Sequence, residues 1–184
     1  TSGASFPVGI TSNKFQVTDA AGNTSSCTME VTVVDVEAPA ISCPADMTMN
    51  TDPGACTTSP TFAAPTGTDN CAGATTTQIA GLVSGSTLAV GVNTNTFRVT
   101  DAGGNSTTCS FTITVIDNQV PAITCPANVS VNTGVGLCGA TVNYTTPNGT
   151  DNCSATTTQT VGSGSGSLFA VGVTTNTFNA TDLA

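Results

Sequence analysis

Histidine and tryptophan are missing from this 184-residue chain, and lysine and arginine together number two, Lys14 and Arg98. Lack of histidine removes the commonest general base and the commonest transition-metal ligand. Two cations against eleven acidic residues leave a net charge of -9. With no cationic cluster to displace counterions from phosphates, nucleic acid is excluded as a partner, and anionic membrane surfaces are disfavoured. Aromatics are 4% of the residues, so any core is built from Val, Ile, Leu, Ala and a few Phe. No apolar run approaches the ~18 residues that a membrane span needs, so no membrane insertion is expected. The chain opens on TSGASF without a signal-peptide pattern and stops at NATDLA, and it reads as a piece of a longer chain or a processed segment.

Threonine is abundant instead, at 38 residues, and this β-branched side chain favours strands over helices. In SFTITVID (Ser110 to Asp117) the alternation puts Phe111, Ile113 and Val115 on one face. MEVTVVD (Met29 to Asp35) and VSVNT (Val129 to Thr133) carry the same pattern. No window of ten residues or more has a helical period. The expected class is all-β.

An internal repeat sets the organisation. Cys27 and Cys109 lie 82 residues apart, as do Cys43 and Cys125, Cys56 and Cys138, and Cys71 and Cys153. VTDAAGN at Val17 matches VTDAGGN at Val99, and GTDNC occurs at Gly67 to Cys71 and again at Gly149 to Cys153. Pro-containing joints, DVEAPAISCP and DNQVPAITCP, follow strand-like runs. Residues 1–35 are then the back half of a unit, 36–117 a complete unit, and 118–184 a unit lacking its final strand. A unit of roughly 80 residues with about seven short strands suggests tandem immunoglobulin-like β-sandwiches. Such small units need staples.

The cysteines are spaced too widely for zinc, which favours tight C-x₂-C pairs. Disulfides are the expected chemistry, and they imply an extracellular or cell-surface setting. Four cysteines in a unit permit three connectivities. Side-by-side first and last strands favour Cys43–Cys109, leaving Cys56–Cys71 and its repeat, Cys138–Cys153, as local loops. Cys27 and Cys125 then lack partners within the chain. Either a longer tandem chain continues past both ends, or Cys27 bridges Cys125 of a second molecule. In the second case residues 22–35 supply the missing edge strand and build an open-ended filament.

The combination of PAISCPADM and PAITCPANVSV, TDNC, SFPVG or LFAVG, and FRVTDAGGNSTTCSFTITVID resembles the hyalin-repeat (HYR) domain family along the whole chain. That resemblance implies an immunoglobulin-like fold in tandem arrays on extracellular proteins, with roles in adhesion and surface structure and no catalysis. The Cys56 and Cys71 placement resembles the form common in bacterial surface proteins.

No enzyme is expected. A reactive cysteine needs a neighbouring His, Lys or Arg, and Asp69 beside Cys71 would raise the thiol pKa. No catalytic or cofactor residues are assigned. Asp35 with Glu37, and Asp101 with Asn105, offer hard oxygens of the kind calcium takes. Asp and Asn are also ordinary turn residues, and the expectation is turn chemistry with no metal. N-x-S/T sequons at Asn23, Asn105, Asn128, Asn143, Asn148, Asn152 and Asn179 are candidate glycan sites. The run VGSGSGSLFAVG (Val161 to Gly172) reads as a connecting loop. Two functions remain: a structural repeat segment of a fibre or surface protein, and an adhesin or carbohydrate-binding module using its end loops. Fixed-period repetition and the shortage of aromatic platforms for sugars favour the first.

Overall fold

In the computed structural model, residues 3–182 are described. Every regular element among them is a strand, as the threonine-rich alternation requires. Two compact units are distinguished, one formed by residues Thr1–Pro44, Ala63–Gly81 and Asn95–Phe111, the other by Ala45–Phe62, Leu82–Thr94 and Thr112–Ala184.

The first unit opens with a hairpin of β1 (Gly9–Thr18) and β2 (Thr24–Val33), antiparallel in a continuous register from Gly9↔Val33 to Thr18↔Thr24. The turn between them is braced by Asp19, whose Oδ1 accepts the backbone N–H groups of Ala21 and Asn23 at 2.9 and 2.8 Å. Its Oδ2 accepts Asn23 Nδ2–H at 2.8 Å. Gly22 sits at φ +87°, a left-handed conformation open to glycine. The same corner recurs at Asp101–Asn105, where Asp101 Oδ1 accepts the Asn105 N–H at 2.8 Å and Oδ2 accepts its side-chain amide at 2.9 Å. Asp101 and Asn105 therefore make a turn of the Asx type.

A four-stranded sheet runs in the order β3 (Met47–Asn50), β8 (Ser106–Ile116), β7 (Gly91–Thr100), β5 (Thr75–Ala80). β5 lies in the first unit and β3 in the second, while β7 and β8 contribute to both. In the first unit Phe97 stacks on Phe111, ring centroids 6.3 Å apart, beside fully buried Val99. In the second, β3 pairs with β8 in parallel, Met47↔Ile113 through Asn50↔Ile116. The alternation in SFTITVI has its effect here: Phe111, Ile113 and Val115 are 2%, 0% and 1% exposed.

The second unit also holds β4 (Thr57–Thr58) paired with β6 (Leu88–Ala89), β9 (Gly139–Val142) with β11 (Ser167–Ala170), and β10 (Ala155–Val161) with β12 (Thr177–Asp182). VSVNT at Val129 to Thr133, expected to be a strand, forms none. Its counterpart one repeat earlier is β3, whose only ladder is the parallel one to β8. Among the described residues no β8 equivalent lies beside the segment, and both Val129 and Val131 are exposed.

Candidate functional site

The two copies of GTDNC build the same corner twice. Thr68 exchanges backbone hydrogen bonds with Ala40 at 2.8 and 2.9 Å, and Thr150 with Ala122 at 2.8 Å both ways. The Gly67 N–H donates to Thr76 Oγ1 at 2.9 Å, and the Gly149 N–H to Thr157 Oγ1 at 2.7 Å. A Cβ on Gly67 would lie 2.5 Å from the Val99 side chain, and one on Gly149 2.6 Å from the Ala180 methyl. Glycine is thus demanded by close approach. Asp69 Oδ2 accepts the Cys71 N–H at 2.9 Å, and Asp151 Oδ2 the Cys153 N–H at 3.2 Å.

Each corner meets the aspartate at the end of the preceding repeat, Asp35 in the first unit and Asp117 in the second. Asp35 Oδ1 accepts the Glu37 N–H and Asp117 Oδ1 the Gln119 N–H, both at 3.1 Å. The remaining oxygens, Asp35 Oδ2 and Asp69 Oδ1 in one junction, Asp117 Oδ2 and Asp151 Oδ1 in the other, are buried without a hydrogen-bond partner. Asn152 Oδ1 shares that condition, while its Nδ2 donates to Ala55 O at 2.8 Å and Thr51 Oγ1 at 3.2 Å, both in the preceding repeat. The Gln119 N–H holds the Asp117 carboxyl below the usual carboxylate range against the opposing effect of burial, with Asn152, Thr51 and Asp151 adding to the lowering. The calcium pairing considered from sequence, Asp35 with Glu37, is an Asx turn through the Glu37 backbone, and Glu37 Oε2 accepts Asn70 Nδ2–H at 2.7 Å. Sequence reasoning missed that the carboxylate facing Asp35 comes from GTDNC. The signal was present, because Asp35/Asp117 and Asp69/Asp151 both keep the 82-residue offset.

Cys43 and Cys109 are joined, S–S 2.01 Å and Cα–Cα 5.6 Å, clamping the segment before β3 to β8. The second bridge corrects the sequence expectation: Cys56 is bonded to Cys153, 97 residues on, and not to Cys71. Accordingly Cys138 is not bonded to Cys153 either, and Cys27, Cys71, Cys125 and Cys138 are free thiols. The physical reason is the junction. The loop before β4 is closed by Asp52, whose N–H donates to Thr57 O at 2.9 Å and whose Oδ1 accepts Thr58 Oγ1–H at 3.0 Å. Ala55 in that loop receives Asn152 of the next repeat's corner, which sets Cys56 and Cys153 at a Cα–Cα separation of 4.5 Å. The thiol of Cys71 is pushed up first by the neighbouring Asp35 carboxylate, then by burial and by the charges of Asp69 and Asp101. It is the opposite of an activated nucleophile.

Of the sequon asparagines, Asn105 and Asn152 commit their side-chain amides to hydrogen bonds inside the junctions, which withdraws the atom a glycan would modify. Asn23 is exposed but likewise commits its amide, to Asp19 Oδ2, whereas Asn128, Asn143, Asn148 and Asn179 are exposed. The lone tyrosine, Tyr144, is half-buried, donates its hydroxyl to Ser163 O at 2.7 Å and packs edge-on against Phe178. An open cleft of about 650 Å³ occupies the third repeat, lined among others by Val129, Val131, Phe169, Val171 and Phe178.

Repeating all-β units with fixed-period corners and a disulfide running from one repeat into the next define a tandem array of immunoglobulin-like modules. The chain belongs to the HYR domain family, whose model matches residues 1–33, 34–115 and 116–184. It is 30% identical over 182 residues to a protein named hyalin from Strongylocentrotus purpuratus, and 31% identical over 184 residues to one from Lytechinus variegatus. Each alignment takes in 96% of this chain but only 15% and 34% of the respective relatives, so the chain spans a minor part of the length of either.

Proposed function

We propose that the chain is a structural repeat segment of an extracellular fibre or cell-surface protein, polymerising by strand complementation between copies of itself. One observation carries this reading. Met29, Val31 and Val33 of β2 stand one repeat period from Phe111, Ile113 and Val115 of β8, the centre of the complete repeat's core. In β2 Met29 is 49% exposed and Val31 and Val33 are only half-buried, while the third repeat holds an open cleft lined in part by Val129, Val131, Phe169 and Phe178, which a β8 equivalent would fill. A donated β2 would pair in parallel with Val129–Asn132 as β8 does with β3, exchanging β1 for β12 as its antiparallel neighbour.

The cysteines add independent support. Cys27 and Cys125 are the repeat counterparts of Cys109 and Cys43, and Cys71 and Cys138 those of Cys153 and Cys56. Head-to-tail addition therefore closes all four thiols, as Cys27–Cys125 and Cys71–Cys138 between copies. Disulfide use suits an oxidising exterior, and the missing histidine and raised Cys71 thiol speak against catalysis. A role as adhesin or carbohydrate-binding module finds little support in one Tyr144 whose hydroxyl is already used.

Negative-stain imaging with non-reducing gels tests the proposal. Regular fibres and a ladder that collapses on reduction are expected, and Val31→Asp should leave monomers. Single rods from the unaltered chain, or fibres undiminished by Val31→Asp, would overturn it.

A further inference from the structure

We infer that the corner at residues 68–71 is a docking head for residues 133–138 of a second copy of this chain, with Asn70 as its docking side chain and Glu37 as an in-chain competitor for that side chain. The inference rests on the polymer reading and adds to it the contact that seats one copy on another before β2 is exchanged.

The second unit contains a finished version of this contact. There Asn152 donates Nδ2–H to Ala55 O at 2.8 Å and to Thr51 Oγ1 at 3.2 Å, and Cys153 is bridged to Cys56 beside it. Shifting by the 82-residue period turns Asn152 into Asn70 and its acceptors into Leu137 O and Thr133 Oγ1. Both separated halves already have the docked shape. In residues 51–56 the Ala55 N–H donates to Asp52 O at 3.0 Å, and in residues 133–138 the Leu137 N–H donates to Gly134 O at 3.0 Å. Gly54 and Gly136 take φ of +74° and +75°. The corners match as well, through the Thr68–Ala40 and Thr150–Ala122 backbone exchanges. What differs is cover: Ala55 and Cys56 are half-buried, whereas residues 133–138 are all exposed, Leu137 at 59%.

Asn70 itself donates Nδ2–H to Glu37 Oε2 at 2.7 Å, and both residues are exposed. One period later the place of Glu37 is taken by uncharged Gln119, and the asparagine amide serves the preceding loop instead. A carboxylate attracts an N–H more strongly than a carbonyl or hydroxyl does, but at an exposed site water competes for both partners and the net worth is small. Glu37 therefore lowers the apparent affinity of the corner by the fraction of time it holds Asn70. Docking needs only that side chain to turn, whereas donation of β2 breaks the continuous β1–β2 ladder, so docking comes first. The occupant is a second copy, because the acceptors that fit Asn70 are those of this chain's own third repeat. The same approach sets Cys71 against Cys138, both free thiols, as Cys153 stands against Cys56.

Seeded growth tests this: soluble chain is added to sheared fibres, and the initial elongation rate is read by light scattering. Asn70→Ala is expected to slow elongation about tenfold, the worth of two modest hydrogen bonds. Glu37→Ala should speed it severalfold, and the double variant should match Asn70→Ala, because Glu37 acts only through Asn70. Both side chains are exposed, and circular dichroism checks that each variant folds. An Asn70→Ala chain as fast as the unaltered one would overturn the inference, and so would a Glu37→Ala chain that is no faster. Either result would leave strand complementation standing. An unaltered chain that never elongates would overturn the polymer reading and this docking together.

Discussion

Replacing Cys56 and Cys153 together with serine removes the bridge between repeats without leaving an odd thiol. The bridge spans 97 residues in sequence, but the unfolded chain has a shorter route through Cys43–Cys109. From Cys56 back to Cys43, across that disulfide, and from Cys109 on to Cys153 is about 57 residues, for which loop-closure entropy gives about 4 kcal/mol at 25 °C. Counting the full sequence separation would raise this only to about 4.7 kcal/mol, because the dependence on length is logarithmic. With a urea m-value of roughly 2 kcal/mol/M for a chain of this size, the unfolding midpoint should fall by about 2 M. Urea titration followed by circular dichroism measures it, with Cys71→Ser as the control that moves the midpoint little. A fall below about 0.5 M in the double variant would refute the reasoning.

Gly67→Ala forces a Cβ to within 2.5 Å of buried Val99, and thermal unfolding should report a loss of about 1–3 kcal/mol. In the unassembled chain, iodoacetamide at pH 8 should label Cys71 more slowly than exposed Cys27, Cys125 and Cys138, because the neighbouring Asp35 carboxylate raises its thiol pKa and burial adds to the effect. Asp35→Asn should narrow that gap, as read by peptide mass spectrometry. Asp19 is held below its ordinary pKa first by the Asn23 side chain and then by backbone N–H groups. For Asp101, burial pushes upward but is outweighed by the Asn105 and glycine N–H donors. Both contributions are present above the unfolded value of about 3.9 and are lost as pH falls through the lowered folded values. The urea midpoint should therefore drop between pH 5 and 2.5, and less steeply in Asn105→Ala.

Alternation made the strands legible. Phe111, Ile113 and Val115 could be assigned to one buried face from the sequence, and the first-with-last parallel pairing followed from the sandwich topology. Val129–Thr133 has the same pattern yet forms no strand, because a β-ladder belongs to two segments and alternation describes only one. Cys56 with Cys71 was the economical pairing for a repeat considered alone. Its failure has the same origin: the corner carrying Cys153 is shaped by its own turn but docks, through Asn152, on the loop of the repeat before it. The facing aspartates were hidden for a related reason, since Asp35 and Asp69 are separated by β3 and β4 and meet only across a junction. Contacts between repeats carry no local periodicity, and their one trace in the sequence is the shared 82-residue offset.

Mapping of disulfide-linked peptides under non-reducing conditions, on protein assembled from equal parts of unlabelled and nitrogen-15-labelled chains, tests the inter-repeat stapling most directly. The account predicts a Cys56–Cys153 link within single chains, together with Cys71–Cys138 and Cys27–Cys125 links of mixed isotopic parentage. Local Cys56–Cys71 and Cys138–Cys153 links would contradict it.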